Sequence, residues 1–218
     1  MNATLGAIRP QQAGSRMNRV VAVAGPTGGG KSTLVRGLAA ALGNACAIHM
    51  DDYERMTREP AAKVMQWMAR GAAFDELAIP LLAEHLDKLK RGEAVREPTR
   101  STIIAPRETI VFETQFGRAH GPTGALVDYL VWIDIPLEVA LARKVKSMLA
   151  DGLSAPPADA RARMEGVEAY LGHYMALVRP LLLTQAERVR PGADLVIDGT
   201  LPPEMMLRQA CQALQAAP

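Results

Sequence analysis

The sequence predicts an α/β protein, a parallel sheet layered between helices, and three observations carry this. From Arg19 onward, short apolar or β-branched runs alternate with longer stretches of helical spacing, without internal repeats. That alternation is the pattern of parallel α/β folds. The short runs are apolar at consecutive positions, as strands covered on both faces require. Between the first run and the first helical stretch stands the glycine-rich segment Gly25-Pro26-Thr27-Gly28-Gly29-Gly30-Lys31-Ser32-Thr33.

In chain order, strands are predicted at Val20–Ala24, Ala45–Met50, Thr109–Glu113, Leu130–Ile135 and Leu195–Ile197. Helices are predicted at Lys31–Leu42, Ala61–Ala69, Ile79–Lys90, Leu137–Leu149, Ala160–Leu183 and Glu204–Gln215. In the third helix, Leu81, Leu82, Leu86 and Leu89 form an apolar stripe read as core, and Gly92 stands where a helix stop is expected. Pro136 fits the first turn of the fourth helix, with Asp134 as its cap. The turn-rich stretch from Ala150 to Asp159 reads as a mobile segment, a lid candidate. Residues 1–16 carry no periodic pattern and read as a flexible N-terminal extension ending just before Met17. Residues 17–218 read as one domain.

Composition excludes several classes. Among 218 residues, 49% are hydrophobic and 22% charged, which is ordinary globular usage rather than that of a disordered or collagen-like chain. A net charge of +2 lacks the positive field that non-specific nucleic-acid binding needs, so no polynucleotide partner is expected. No stretch approaches the ~18 uninterrupted apolar residues of a membrane span, so no membrane partner is expected either. Cys46 and Cys211 stand far apart and read as reduced thiols of a cytoplasmic protein. A homo-oligomer is left open.

The segment from Gly25 to Ser32 matches G-x-x-x-x-G-K-[ST] in its expected context, strand before and helix after. Glycines let the backbone turn back with its N–H groups inward, so several donors and the positive end of a helix converge on one polyphosphate. Lys31 would reach the β- and γ-phosphates, Ser32 would ligate a magnesium ion bridging them, and Thr33 begins the helix. The bland alternative is a strand-to-helix turn with a solvated lysine.

Two further strands end in acids at the edge where parallel sheets place ligands. The second runs into His49-Met50-Asp51-Asp52-Tyr53. A carboxylate near the metal can align and deprotonate an acceptor hydroxyl, which makes Asp51 the candidate base, with Asp52 as cap or supporting group. The alternative is a pair of aspartates that caps a helix and forms a turn. The third strand ends in Glu113, placed to hold a magnesium-bound water, and carboxylates around one cation make electrostatic sense only with the metal present. Arg143 and Lys144 fall just before the lid candidate, where closure would bring a cation over the transferring phosphoryl, and Arg143 is the better choice for bridging two phosphates. A solvated basic helix face is the alternative. Arg161 and Arg163 are weaker candidates, and His49, His120 and His173 lack metal-ligand spacing and receive no role.

These residues together resemble the uridine kinase and phosphoribulokinase family of P-loop kinases, from about Arg19 to Pro203. Besides the glycine-rich loop, the likeness comprises Asp51-Asp52-Tyr53, Ala73-Phe74-Asp75, Leu89-Lys90-Arg91-Gly92 with Pro98, Glu113 and Leu141-Ala142-Arg143-Lys144. Tyr174, Val178-Arg179-Pro180 and Ala193-Asp194-Leu195-Val196-Ile197 continue it. The resemblance implies a three-layer αβα fold with a five-stranded parallel sheet of order 2-3-1-4-5, a helical substrate insert at about 54–107 and a lid at about 144–165. It also implies ATP and Mg2+, with Asp51 as base, Lys31 and Arg143 on phosphates, and Ser32, Glu113 and Asp51 serving the metal. Adenine would lie between the Arg143 region and Gly199-Thr200-Leu201. Asp52, Tyr53 and Arg100 are the substrate-side candidates.

Departures bear on the substrate. Thr99-Arg100-Ser101 stands where pyrimidine-nucleoside kinases of the family carry Tyr-Asp, which speaks against uridine itself. The family's Glu-Gly is Glu113-Thr114, its insert Trp-Asp is Trp67-Met68, and its Arg-Asp near the lid is Ser147-Met148. Arg96, Arg100, Arg107 and Arg118 would suit an anionic acceptor such as a sugar phosphate if they converge, and are scattered surface arginines if they do not. The reading is an ATP- and magnesium-dependent kinase acting on a hydroxyl of a small molecule, a nucleoside, sugar phosphate or related metabolite. A nucleotide-dependent switch with slow hydrolysis is the alternative; an NTP-driven nucleic-acid remodeller lacks the basic surface.

Overall fold

The computed structural model describes residues 17–53, 60–154 and 156–217. The expected extension at 1–16 lies outside the described residues, as do 54–59 at the start of the expected insert, 155 within the expected lid, and 218. In chain order the elements are β1 (Arg19–Ala24), α1 (Lys31–Ala41), β2 (Ala45–His49), α2 (Ala61–Ala69), α3 (Pro80–Lys90), β3 (Val95–Arg96) and β4 (Ile103–Ile104). They continue with β5 (Thr109–Glu113), α4 (Gly121–Gly124), β6 (Tyr129–Asp134), α5 (Leu137–Leu153), α6 (Pro157–His173), α7 (Arg179–Val189), β7 (Leu195–Asp198) and α8 (Pro203–Ala216).

Five strands form one parallel sheet in the order β2-β5-β1-β6-β7. Counted within the sheet alone, that is 2-3-1-4-5. The strands β3 and β4 form a separate antiparallel hairpin; at two residues each they are too short to leave a periodic signal.

The pleat sorts the central strands onto two cores. On one side, Val20, Ala22, Ile110, Phe112, Leu130 and Trp132 pack with Leu82, Leu86 and Leu89 of α3 and Trp67 of α2. On the other, Val21, Val23, Val111, Val131 and Ile133 meet Leu34, Val35 and Leu38 of α1 and Met206, Ala210 and Leu214 of α8. Helices therefore cover both faces, as the doubly apolar strands require. Leu81 is 41% exposed, outside the stripe expected to include it: successive helical residues point about 100° apart, so the neighbour of buried Leu82 faces solvent.

Three further boundaries differ from expectation. Helix α5 continues to Leu153, because Gly152 is buried against Arg163 and Met164 of α6 rather than ending the helix. The single helix expected over 160–183 starts at Pro157 and passes through a π-helical turn, Tyr174–Val178, before α7. Asp134 does not cap α5: Pro136 holds the cap position, and the Asp134 carboxylate accepts from Trp132 Nε1 at 3.3 Å and Arg190 at 3.2 Å. Among the described residues, no helix is long and apolar enough to cross a membrane.

Candidate active site

The loop from Gly25 to Gly30 joins β1 to α1 at the C-terminal edge of the sheet. Its glycines answer to two constraints. Gly28 has φ +79° and lies against α5, where a Cβ would collide with the Ala140 carbonyl oxygen. Gly30, at φ +99°, is the N-cap of α1, and no side chain caps that helix, so its first-turn N–H groups face the cleft with the positive end of its dipole. Gly25, Pro26 and Gly29 are buried beneath the loop. There Pro26 O accepts from Gly29 N at 3.0 Å and from Lys31 Nζ at 3.2 Å. Burial lowers the Lys31 pKa; the negative charges of Glu113 and Asp51 oppose that shift, and Lys144 reinforces it.

Two acids and a histidine end the neighbouring strands. His49 and Glu113 are the last residues of β2 and β5 and stand opposite one another in register. Glu113 Oε1 accepts from Ser32 Oγ at 2.9 Å, and Glu113 Oε2 lies 2.5 Å from His49 Nδ1. Burial pushes the Glu113 carboxyl up, but the His49 hydrogen bond, the Lys31 charge and the Ser32 hydroxyl outweigh it and hold the carboxyl below its usual range. The same bond raises His49. Because an ionised carboxylate can only accept, His49 Nδ1–H donates. His49 received no role from spacing, because its partner becomes visible only through cross-strand register.

Asp51 follows in the turn after β2; it is exposed, and its Oδ1 accepts from Gln115 Nε2 at 3.1 Å. Gln115 lies two residues beyond Glu113 and carried no sequence signal. Asp52 faces the β3–β4 hairpin: its main-chain oxygen accepts from Thr99 Oγ1 at 2.9 Å, and its carboxylate lies 3.7 Å from the Arg100 guanidinium. Burial, and next the charge of Glu97, raises the Asp52 carboxyl. The buried Glu97 carboxylate holds the hairpin tip by accepting from the N–H groups of Thr99 at 2.5 Å and Arg100 at 2.6 Å. Tyr53 is 3.0 Å from His85 Nδ1, with its phenol pushed up chiefly by burial.

Of the two readings of the four arginines, the scattered one holds. Arg96 donates to Ser101 O within the hairpin at 2.7 Å, and Arg107 lies beside Cys46 at the edge strand. Arg118 fastens the opposite end of β6 and β7 through Gly192 O, Asp128 O and the Asp194 carboxylate. Only Arg100 lies by the Asp51–Tyr53 segment, since nearness in sequence does not set the direction of a side chain. Arg161 pairs with Glu165 at 2.9 Å on an exposed face of α6, away from the cleft lining.

One cleft of about 630 Å³ gathers the remaining candidates: Thr27, Gly28, Gly30, Lys31, Ser32, Thr33, Asp51, Glu113 and Arg143 all line it. Lys144, Arg36, Ser147, Leu201, Pro203 and Met206 complete its lining. Asp52, Tyr53 and Arg100 do not line it; they flank the Asp51 end. Arg143 reaches the loop after β7 by donating to Gly199 O at 2.6 Å. Asp51, Asp52 and Glu113 do not close into a three-carboxylate group, and among the described residues no three His, Cys, Asp or Glu side chains do so. The hydroxyl of Ser32 and the ionised carboxylate of Glu113 are nevertheless adjacent hard oxygen donors, a set that fits a magnesium ion keeping most of its waters.

Sheet order, loop and cleft define the fold of a P-loop kinase. Among solved structures the chain is similar to a sugar kinase from Janibacter sp. HTCC2649, with TM-score 0.52 and 20% identity over 92% of this chain and 96% of that one. It is also similar to a gluconokinase from Sinorhizobium meliloti 1021, with TM-score 0.50 and 18% identity over 92% and 94%. In sequence it is similar to uridine kinases. Over 127 residues it is 29% identical to that of Vibrio parahaemolyticus serotype O3:K6 and 24% identical to that of Escherichia coli K12. The chain spans about half the length of the curated relatives it matches, 54% in both cases. No protein-family model matches it.

Proposed function

We propose that the protein transfers the γ-phosphoryl group of ATP to a hydroxyl of a small-molecule acceptor. The observation that carries this is the shared cleft: the phosphate-cradling loop, Lys31 and Ser32 face Asp51 and Glu113 across one cavity. The resemblance to uridine kinases and the fold shared with sugar kinases support it.

In this reading the N–H groups at the start of α1 and the Lys31 ammonium bind the β- and γ-phosphates, and Ser32 and Glu113 hold magnesium. Bound there, magnesium neutralises charge on the phosphate oxygens. Asp51 accepts the proton of the acceptor hydroxyl as its oxygen bonds to the γ-phosphorus and the bond to ADP breaks. Gln115 occupies one Asp51 oxygen and leaves the other for that proton. Arg143 supplies positive charge, and the apolar Leu201, Pro203 and Met206 offer the adenine a wall. The segment from about 144 to 165, where α5 gives way to α6, is assigned as the lid, and the segment from about 54 to 107, with the β3–β4 hairpin beside Asp52, as the acceptor-binding insert. Nucleosides and sugar phosphates remain the acceptor classes, with uridine disfavoured by Thr99-Arg100-Ser101. The free thiols of Cys46 and Cys211 support a cytoplasmic setting.

The test is ADP release from Mg-ATP in the presence of separate nucleosides, sugars and sugar phosphates. At least one class should accelerate release well above the rate with water alone. A flat response would replace the kinase reading with that of a slowly hydrolysing nucleotide switch.

A further inference from the structure

The contact between His49 and Glu113 leads beyond the residues assigned so far. Three elements meet in one chain of hydrogen bonds: Ser32 Oγ on α1, the Glu113 carboxylate on β5 and His49 Nδ1 on β2. Each Glu113 oxygen has its own partner, one on either side. The competing partner is Lys31, whose charge acts on Glu113 from within the same cleft. Yet no ion pair joins the two; Lys31 Nζ bonds to Pro26 O instead. A carboxylate free to turn would fall onto that ammonium, removing both a metal-side oxygen and the cation meant for phosphate. The 2.5 Å bond from His49 opposes this turn.

We propose that His49 is a positioning residue that holds the Glu113 carboxylate on Ser32 and away from Lys31, thereby setting how strongly magnesium supports nucleotide binding. The inference rests on the kinase reading, but concerns a residue that touches neither nucleotide nor acceptor. Partners that orient the groups around a metal contribute about 10–100-fold to its affinity. Asparagine should replace His49 in part, because its amide N–H falls near the Nδ1 position; glutamine places its amide further out, near Nε2, and should not.

The experiment is calorimetric titration of the non-hydrolysable analogue AMP-PNP into wild type, His49→Ala, His49→Asn and His49→Gln, in EDTA and over a series of Mg2+ concentrations. In wild type, Mg2+ should tighten binding. In His49→Ala the Mg2+ concentration giving half of that gain should rise about 10-fold, while binding in EDTA, which feels only the engagement of Lys31, should weaken to a smaller degree. His49→Asn should recover most of the loss, and His49→Gln should not. If His49→Ala fails to fold, as judged by circular dichroism, the Asn and Gln variants decide alone. Identical Mg2+ dependence in the variants and wild type would overturn the proposal. So would equal weakening with and without Mg2+, which marks a general structural role. Absence of Mg2+-dependent binding in wild type would overturn the kinase reading and this inference together, an outcome distinct from the other two.

Discussion

Arg143 donates to the carbonyl oxygen of Gly199 at 2.6 Å, tying the middle of α5 to the loop that leaves the last strand of the sheet. A guanidinium has five N–H donors in a rigid fork, so this bond fixes its plane while leaving donors toward the cleft that Arg143 lines. Arg143→Ala should lower turnover about 10²-fold and stability by about 1 kcal/mol. Arg143→Lys keeps the charge but loses the fork, and should recover little. Steady-state kinetics and thermal melts on the two variants check this; full activity in Arg143→Lys would reduce the role to charge alone.

Asp51→Asn should reduce phosphoryl transfer by about 10²-fold or more while nucleotide affinity, measured by calorimetry, stays near that of wild type. Gln115→Ala leaves the carboxylate but removes the donor that orients it. Loss of one such bond corresponds to roughly a tenfold fall in kcat, with little change in nucleotide affinity. Normal turnover by Asp51→Asn would end its assignment as base.

Gly28→Ala should damage loop and fold together. The residue sits at φ +79°, and its Cβ would press into the backbone of α5. A loss of about 2 kcal/mol or more is expected, with nucleotide binding abolished. Gly43 is the control: it also has positive φ, +70°, but nothing lies within 4 Å of an added Cβ. Gly43→Ala should therefore cost only about 1–2 kcal/mol. Urea denaturation of both variants separates collision from conformational strain.

Acid stability should depend on Asp194. Burial raises its carboxyl, but the hydrogen bonds from Arg118 and from Leu130 N–H outweigh that and hold it below the ordinary 3.8. A carboxyl depressed in the folded state adds stability that is fully present above the unfolded value and lost as pH falls through the folded one. The melting-temperature advantage of wild type over Asp194→Asn should accordingly be constant near neutrality and shrink on acidification below pH 3.8. An advantage independent of pH would assign the effect to packing.

The sheet was legible because its strands are apolar on consecutive positions; β5 was predicted with both ends as observed, and β1 to within one residue. The end of α5 was not. Gly152 and the prolines at 156 and 157 look like helix breakers, but the glycine packs against α6, and the prolines occupy the cap and first position of that helix. The π-helical turn at Tyr174–Val178 carries no marker of its own ahead of Pro180. In the cleft, Lys31, Ser32, Asp51 and Glu113 could be placed together because each follows a strand at one sheet edge. His49 and Gln115 could not, since their significance lies in partners on another strand. The four arginines were open to either reading for the converse reason: nearness along the chain does not set where side chains point, and Arg118 in fact fastens the far end of the sheet.

The pairing of His49 with Glu113 also gauges alignment. Among the described residues, strand β2 lies at the edge of the sheet, with β5 as its sole neighbour. Side chains alternate between faces with every residue, so a slip of one position would bring Ile48 or Met50 level with Glu113 and swing the imidazole to the other side. The hydrogen bond closes in the native alignment and in neither adjacent one. It thus works as a mechanical detent, so that seating of the outermost strand and readiness of the phosphate cradle are verified at one point.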